Sequence, residues 1–422
     1  MAEIATTQNN QALKSFIRNT FGGEPEWSLS RRLAAADRYF DLDWPKLERT
    51  PLRKRKLDQV SLLSLPKPAS SEQPTTAPVE IVLFNNYPVG LSVPESLARA
   101  GVVLEPMASA VGREVVRKYL GTLSAVNDDK LAALNDALWQ NGFFLQIPPA
   151  IAEPLEIFVQ HLADGSPGLL ASKNLIVCGA GSRATVTERL SSAAGPDKLL
   201  LSAVTEVVVE PGGHMEYGAI QQCGSNVDGF IRRYGRALQD ARLDWNIGEF
   251  GAGLVVSSHE TDLSQPGAET HSITVFFGSG QQHQDYSAKS YHRAPHTTSE
   301  MVGRGVMKDH ARSVFTGLTQ IEQGARGSDG RQKEQTLMLS DDSRADAIPS
   351  LVIDERDVFA AHAASAGPVD KAAIFYLTSR GLPEEEAVRL IVHGFLAPVI
   401  DSIPHAELRD EVWTAVERKI RA

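Results

Sequence analysis

Side chains able to bind metal crowd one stretch of the sequence. In "QQHQDYSAKSYHRAPHTTSE" stand His283, Asp285, His292 and His296. Imidazole and carboxylate at this density can ligate a transition metal. Pro295 bars the helix that would align His292 with His296. Hydrogen bonding within the fold is therefore the favoured reading, because a buried imidazole needs partners. His362 stands apart, in "DVFAAHAASAGPVD", among alanines, a serine and a glycine. Small neighbours leave its ring accessible, and neutral imidazole is a good ligand for iron, zinc or copper. One histidine is not a site, so any further ligands must come from elsewhere in this chain or from another chain. On the residues alone, a hydrogen-bonded interface histidine is the simpler account.

Other chemistries are excluded or left without support. There is no GxxxxGK[ST], no GxSxG and no HExxH. "GEFGAG" has no helix after it and reads as a turn between strands. Cys178 and Cys223 are the only cysteines. They form no CxxC, so neither a disulfide framework nor a thiolate zinc site is expected, and the reading is a cytosolic, cytoplasmic protein. The net charge of -10 argues against nucleic acid as the main partner. The basic run "KLERTPLRKRK" reads as a solvated face. No apolar run is long enough to span a bilayer, and "MAEIATTQNNQALKSF" carries no hydrophobic signal core.

The elements that must position these residues fall into three textures. The first is mainly helical. In "EPEWSLSRRLAAADRYFDLDWP", Leu29, Leu33 and Phe40 share a face and Pro45 ends the pattern. Asn127 is the expected N-cap of a helix striped by Leu131, Leu134 and Leu138 and stopped by Gly142. A proline-rich linker, residues 65–78, lies between them. From about residue 150 short alternating runs recur, such as "LEIFVQHL", "TEVVVE" and "SITVFFG", separated by turn signals. A sandwich, a barrel or a solenoid fits many short strands, and a β-helix accommodates the pattern, although the repeat is irregular. Helical periodicity returns near Pro368. Ala372, Phe375, Tyr376 and Ser379 cluster, Gly381 stops that helix, and Pro383 with three glutamates opens the next. Helices at both termini are expected to cover the end coils of the solenoid and protect their edges.

Long ordered segments resemble a known family. "ARSVFTGLTQIEQGARGSDGRQKEQTLMLSDDSRADAIPSLVIDERDV" and "AAHAASAGPVDKAAIFYLTSRGLPEEEAVRLIVHGF" are similar to the C-terminal signature of the SufB/SufD family. Members are scaffold components of the SUF iron–sulfur cluster assembly machine. "HRAPHTTSEM" and "EPEWSLSRRLAAADRYF" support the match. The shortness of the chain and its scarcity of cysteine favour the SufD branch. The resemblance implies a mainly β fold, a right-handed parallel β-helix flanked by N-terminal and C-terminal helical regions. The corresponding divisions are a helical region 1–150, a β-helix core 151–356 and a docking domain 357–422.

The resemblance also implies a non-enzymatic subunit that pairs with a SufB-like paralogue through the β-helix. An ABC-type ATPase, SufC, would dock on its C-terminal helices. His362 is carried over as a candidate ligand for a transient iron or iron–sulfur cluster at the SufB interface. The family's Ser-His-Gly-Ala reads Ala-His-Ala-Ala here, so glycine's backbone freedom is lost at Ala363. Phe375, Tyr376 and Leu377 are the implied docking anchors, and Arg380, Glu384, Glu385 and Glu386 their polar rim. Two other readings remain: a SufB-like homodimer using Cys178 and Cys223 as thiolates, and a β-helix enzyme acting on polysaccharides. The latter needs clustered carboxylates, which the strand region does not display in sequence.

Overall fold

The computed structural model describes residues 10–55, 57, 73–124, 129–151 and 153–421. Asn127 and most of the proline-rich stretch, residues 65–72, lie outside the described residues. Two parallel sheets wind into a β-helix of about 8 turns. From β4 (Phe143–Ile147) onward strands alternate between a nine-stranded and a ten-stranded sheet, so each pairs with the strand two positions away. The register partners Glu269, Thr298, Asp329 and Phe359 mark one position on successive coils. Their spacings of 29, 31 and 30 residues show why the repeat escapes a search for a fixed period.

Why these segments become buried strands is visible in their composition. "GLLASKNLIVC" (β6, Gly168–Cys178) and "LLLSAVTEVVV" (β8, Leu199–Val209) are buried throughout. Mainly apolar strands of this kind suit a parallel sheet covered on both faces, and their buried charges are paired, Lys173 with Asp136 and Glu206 with the N–H groups of Leu123 and Ser124. The outer face of the nine-stranded sheet is covered by α1 (Asn10–Phe21), α2 (Glu26–Asp41) and α6 (Lys130–Leu138). The outer face of the ten-stranded sheet carries α8 (Glu384–Ile400) and α9 (Ala406–Arg421). Gly218 and Gly248 make room for α9. A Cβ at Gly218 would lie 2.5 Å from Leu408, and one at Gly248 would lie 3.1 Å from Val412. Among the remaining elements are the short helices α3 (Glu95–Arg99), α4 (Met107–Ala110) and α5 (Glu114–Tyr119).

Several local expectations shift. Helix α2 buries Ser28, Arg32, Ala35, Ala36 and Tyr39, while Leu29, Leu33 and Phe40 are half-buried at the edge of the same core. Arg32 is tolerated inside because its guanidinium lies 3.9 Å from the Phe21 ring centre and 3.8 Å from that of Trp139. It also pairs with Glu24 at 2.8 Å. The N-cap of α6 is Asp129, whose carboxylate accepts from Ala132 N–H at 2.9 Å, and the helix ends at Leu138, before Gly142. Pro383 occupies the N-cap of α8 rather than its first helical position.

The divisions 151–356 and 357–422 differ from the observed elements. Strand β1 (Glu80–Phe84) already pairs in parallel with β5 (Leu155–Ala163). At the other end, β19 (Phe359–Pro368) pairs in parallel with β17 (Asp329–Met338). "FAAHAASAGP" has weak intrinsic strand preference, and its pairing with β17 overrides it. The first helix after the solenoid, α7 (Lys371–Ser379), begins only at Lys371.

The ends of the solenoid differ, and here the expected double cover is corrected. At the N-terminal end, β2 (Tyr87–Ser92) closes one sheet against β1, antiparallel. There β3 (Val103–Pro106) closes the other against β4 (Phe143–Ile147), also antiparallel. At the C-terminal end, β18 (Arg344–Ile353) and β19 are the last strands of their sheets. Helices α8 and α9 lie on the flank because their apolar residues, Val392 and Leu396 on α8, Leu408 and Val412 on α9, pack with Ile220, Val275 and Phe277 of the sheet.

Candidate interface site at the open end of the solenoid

His362 lies in β19, in register with Gln332 of β17. Side chains at register partners of parallel strands point to the same face. Gln332, Glu334 and Thr336 are buried inside the solenoid, so His362, Ala364 and Ala366 face the bore. They remain exposed because no coil follows. The His362 ring forms no hydrogen bond or ion pair with any described residue. Ala363 is not among the residues with positive φ, so the strand makes no use of the freedom that glycine would bring.

Backbone bonding defines the open edge. Phe359 N–H donates to Ser328 O at 2.9 Å and Val369 N–H to Met338 O at 2.8 Å. The parallel ladder alternates between these limits. Odd-numbered N–H groups turn toward β17, and those of Ala360, His362, Ala364 and Ala366 point outward. Phe359 is 54% exposed, and Val352 and Ile353 on β18 are exposed beside it.

Sequence reasoning missed two inner groups next to His362. Gln332 Nε2 donates to Thr319 Oγ1 at 2.7 Å and to Ser350 O at 3.0 Å, while its Oε1 has no partner. Glu334 accepts from Thr336 Oγ1 at 2.6 Å, and its second oxygen has none. Burial pushes the Glu334 carboxyl up to about 7. The signal was the alternation in "GRQKEQTLM", one coil before His362.

Helix α7 stands beside this end. Asp370 caps it, accepting from Ala372 N–H at 2.8 Å, and Gly381 at φ +90° ends it. None of its residues is buried. Phe375 is 73% and Tyr376 57% exposed. Phe375 therefore does not pack the helices together within this chain, whereas Leu377 is half-buried. Arg380 lies 5.2 Å from the Tyr376 ring centre and donates to its hydroxyl at 3.2 Å. Glu384, Glu385 and Glu386 are exposed at the start of α8, and Glu386 pairs with Arg389 at 3.0 Å.

The structure does not bring the first histidine group together as a metal centre. Buried His292 is held by Thr297 Oγ1 and Ser299 Oγ, both at 2.8 Å. His283 contacts Thr50 Oγ1 at 2.8 Å, Asp285 accepts from the same hydroxyl, and His296 sits in a turn at φ +58°. Burial pushes His292 down to about 4 and Asp285 up to about 6. A group unseen in the sequence is His214, Glu216 and Asp244, with ligand atoms within 4.8 Å. Its members meet because they occupy adjacent coils. Arg242 already engages both oxygens of Asp244, at 3.0 and 2.8 Å, and His405 ahead of α9 reaches Glu216 at 3.2 Å. The group ties the C-terminal helices to the sheet. Cys178 and Cys223 are free and buried, and burial pushes both thiols up to about 12. Neither offers a thiolate near neutral pH.

Comparisons with known proteins agree with this geometry. Residues 161–395 match the family described as "SUF system FeS cluster assembly, SufBD core domain", a segment that contains β19 and α7. The chain is 31% identical to the iron–sulfur cluster assembly protein SufD of Bacillus subtilis, over 98% of both chains. It is 26% identical to a SufBD family protein of Staphylococcus saprophyticus, over 90% of this chain and 87% of that one. A Staphylococcus epidermidis relative is 25% identical over the same shares. A parallel β-helix with one open end and a full-length match to a SufD place the chain in the SufB/SufD family of SUF iron–sulfur cluster assembly proteins, as a SufD-like member.

Proposed function

We propose that this chain is a non-catalytic scaffold subunit whose open coil pairs with a SufB-like paralogue. The observation that supports it is the asymmetry of the solenoid: its N-terminal end finishes in antiparallel strands, its C-terminal end in β18 and in β19, a parallel strand exposed along most of its length. An unpaired strand edge is a template for strand addition. Pairing there would bring a partner's side chains against His362. The imidazole would supply one nitrogen ligand to an iron or iron–sulfur cluster carried as cargo, and the partner would supply thiolates. Acid weakens such a bond, because the ligating ring must be neutral. The buried thiols of Cys178 and Cys223 count against the reading in which this chain holds a cluster alone.

Helix α7 would be the docking element for an ABC-type ATPase. Its aromatic pair is exposed and flanked by Arg380 and the glutamates of α8, an apolar anchor with a charged rim. No helix among the described residues is long and apolar enough to cross a membrane, and the complex would work in the cytoplasm. The test is co-expression of this chain, tagged, with the SufB-like paralogue and the ATPase. A three-protein complex is expected, with its iron and sulfide lost in His362→Ala while the proteins stay together. Recovery of the tagged chain as a homodimer without either partner, or stoichiometric cluster on the isolated chain that is lost in a Cys178→Ala, Cys223→Ala variant, would overturn the proposal.

A further inference from the structure

The basic segment that reads as a solvated face is folded onto the solenoid. Leu52–Arg55 form a 3-10 turn. The turn lies where β12 (Leu254–Leu263), β14 (His283–His292) and β16 (Arg312–Ile321) begin. Thr50 fastens it through His283 and Asp285. Arg55 fastens it from the other side, 3.6 Å from Asp228. Lys198 takes the second oxygen of that carboxylate at 2.5 Å and donates to Arg55 O at 3.0 Å. The turn and the strand starts enclose a cleft of ≈ 610 Å³ walled by Arg49, Lys54, Arg55, Arg312, His283 and His310.

The charge in this cleft is unbalanced. Four permanently cationic side chains face one lining carboxylate, Asp342, whose side chain is 76% exposed, and Glu48, outside the lining, lies 4.0 Å from Arg49. Asp228 is shared between Arg55 and Lys198, and the nearby Asp346 is held by Arg344 at 2.8 Å. No carboxylate among the described residues lies within 4.0 Å of Lys54 or Arg312. His283 reports the same field, pushed down to about 4 by burial, then by Arg55 and Arg312. Arg49 keeps a left-handed backbone, φ +64°, at the lip of the cleft. Such strain in a non-glycine residue collects at functional sites. All of this occurs on a chain of net charge -10.

The ligand class follows from the walls. Guanidinium forks and a lysine point charge suit phosphoryl oxygens. The volume is that of a small-molecule site. Among the described residues no Phe, Tyr or Trp lines the cleft, so a nucleobase would find only the imidazoles of His283 and His310 to stack on. We propose that this cleft binds a small anion carrying two linked phosphoryl groups, gripped by Arg49, Lys54, Arg55 and Arg312. The group could be free diphosphate or the diphosphate of a nucleotide.

Isothermal titration of the full chain at low salt, with pyrophosphate and separately with ADP, tests the site. One-to-one binding of pyrophosphate is expected. Arg312→Gln and Lys54→Gln, both at exposed side chains, should each weaken it about 10-fold or more. Asp342→Asn, which removes the acid from the wall, should tighten it. Equal binding of ADP assigns the nucleotide source, and pyrophosphate bound well above ADP assigns the free anion. No binding of either probe at millimolar concentration overturns the proposal. So does unchanged affinity in folded Arg312→Gln and Lys54→Gln chains, or failure of Asp342→Asn to tighten binding.

Discussion

Replacing Phe375 and Tyr376 by alanine separates what α7 does for this chain from what it does for a partner. Helix α7 contributes no buried residue, and the two rings are 73% and 57% exposed. Their removal should therefore change folding stability by no more than about 0.5 kcal/mol, the range of ordinary surface substitutions. Docking is another matter. Fully burying a phenylalanine side chain is worth about 1.5–3 kcal/mol. With 73% of Phe375 still facing solvent, a partner that covered it would gain about 1–2 kcal/mol. Losing that contact is roughly a 5- to 30-fold weakening, and Tyr376 adds a similar but smaller part. Phe375→Ala alone should give most of the effect, and the double variant should abolish retention of the ATPase during purification. The assay pairs calorimetric titration with the ATPase subunit and a urea unfolding curve on the free chain. Unchanged ATPase affinity would refute the docking role. A stability loss above about 1 kcal/mol would refute the structural premise that neither ring is buried within the chain.

Three further outcomes are expected. Ala364→Pro removes an N–H that points away from β17, so the free chain should melt within a few degrees of the parent. Strand addition at the open edge, read as co-purification of the SufB-like paralogue, should be lost; retention of the paralogue would argue against edge pairing. Glu334 is raised from 4.5 to about 7. The folded chain therefore holds a proton there that the unfolded chain has released, and this stabilisation, complete below about pH 4.5, is lost as pH rises through 7. Glu334→Gln should abolish about 2.5 kcal/mol of that decline between pH 5 and 8, and parallel slopes for parent and variant in urea unfolding would contradict it. Arg233 is fully buried between Glu188 at 3.6 Å and Glu249 at 3.7 Å. Arg233→Met should cost about 3–5 kcal/mol by stranding those acids, seen as a large drop in melting temperature that Glu188→Gln, Glu249→Gln partly restores.

The strand-rich texture was legible because Leu- and Val-rich runs such as those of β6 and β8 carry their burial in their composition. Helices α7 and α8 were legible from Asp370, Gly381 and the glutamates after Pro383. His362 was found through its motif, but its setting was not, since an alanine run gains strand geometry only from the neighbouring coil. Adjacency created by winding was the main hidden quantity. His214 meets Asp244, and Glu334 lies one coil beneath Ala364, through an uneven coil length that no short window reveals. The basic segment was legible in part, since Lys46, Arg49, Arg53 and Lys54 are exposed as a solvated face would be, but its anchoring was not. Charge alone suggests water, while Thr50 and Arg55 hold the turn against buried acids far along the chain. The placement of α8 and α9 on the flank was also unreadable, because it depends on where Gly218 and Gly248 leave space on the sheet.

The unequal ends of the β-helix set a limit on assembly. In the language of polymer chemistry, a rod reactive at both ends is bifunctional and grows into a fibre. Here β2 and β3 end the sheets as antiparallel strands, and the proposed pairing makes the edge of β18 and β19 the one reactive end. A monomer with one such end would only dimerise, with itself or with a complementary rod. The same hydrogen-bonding surface that in an amyloid propagates without end would thus be confined to a single joint, beside His362.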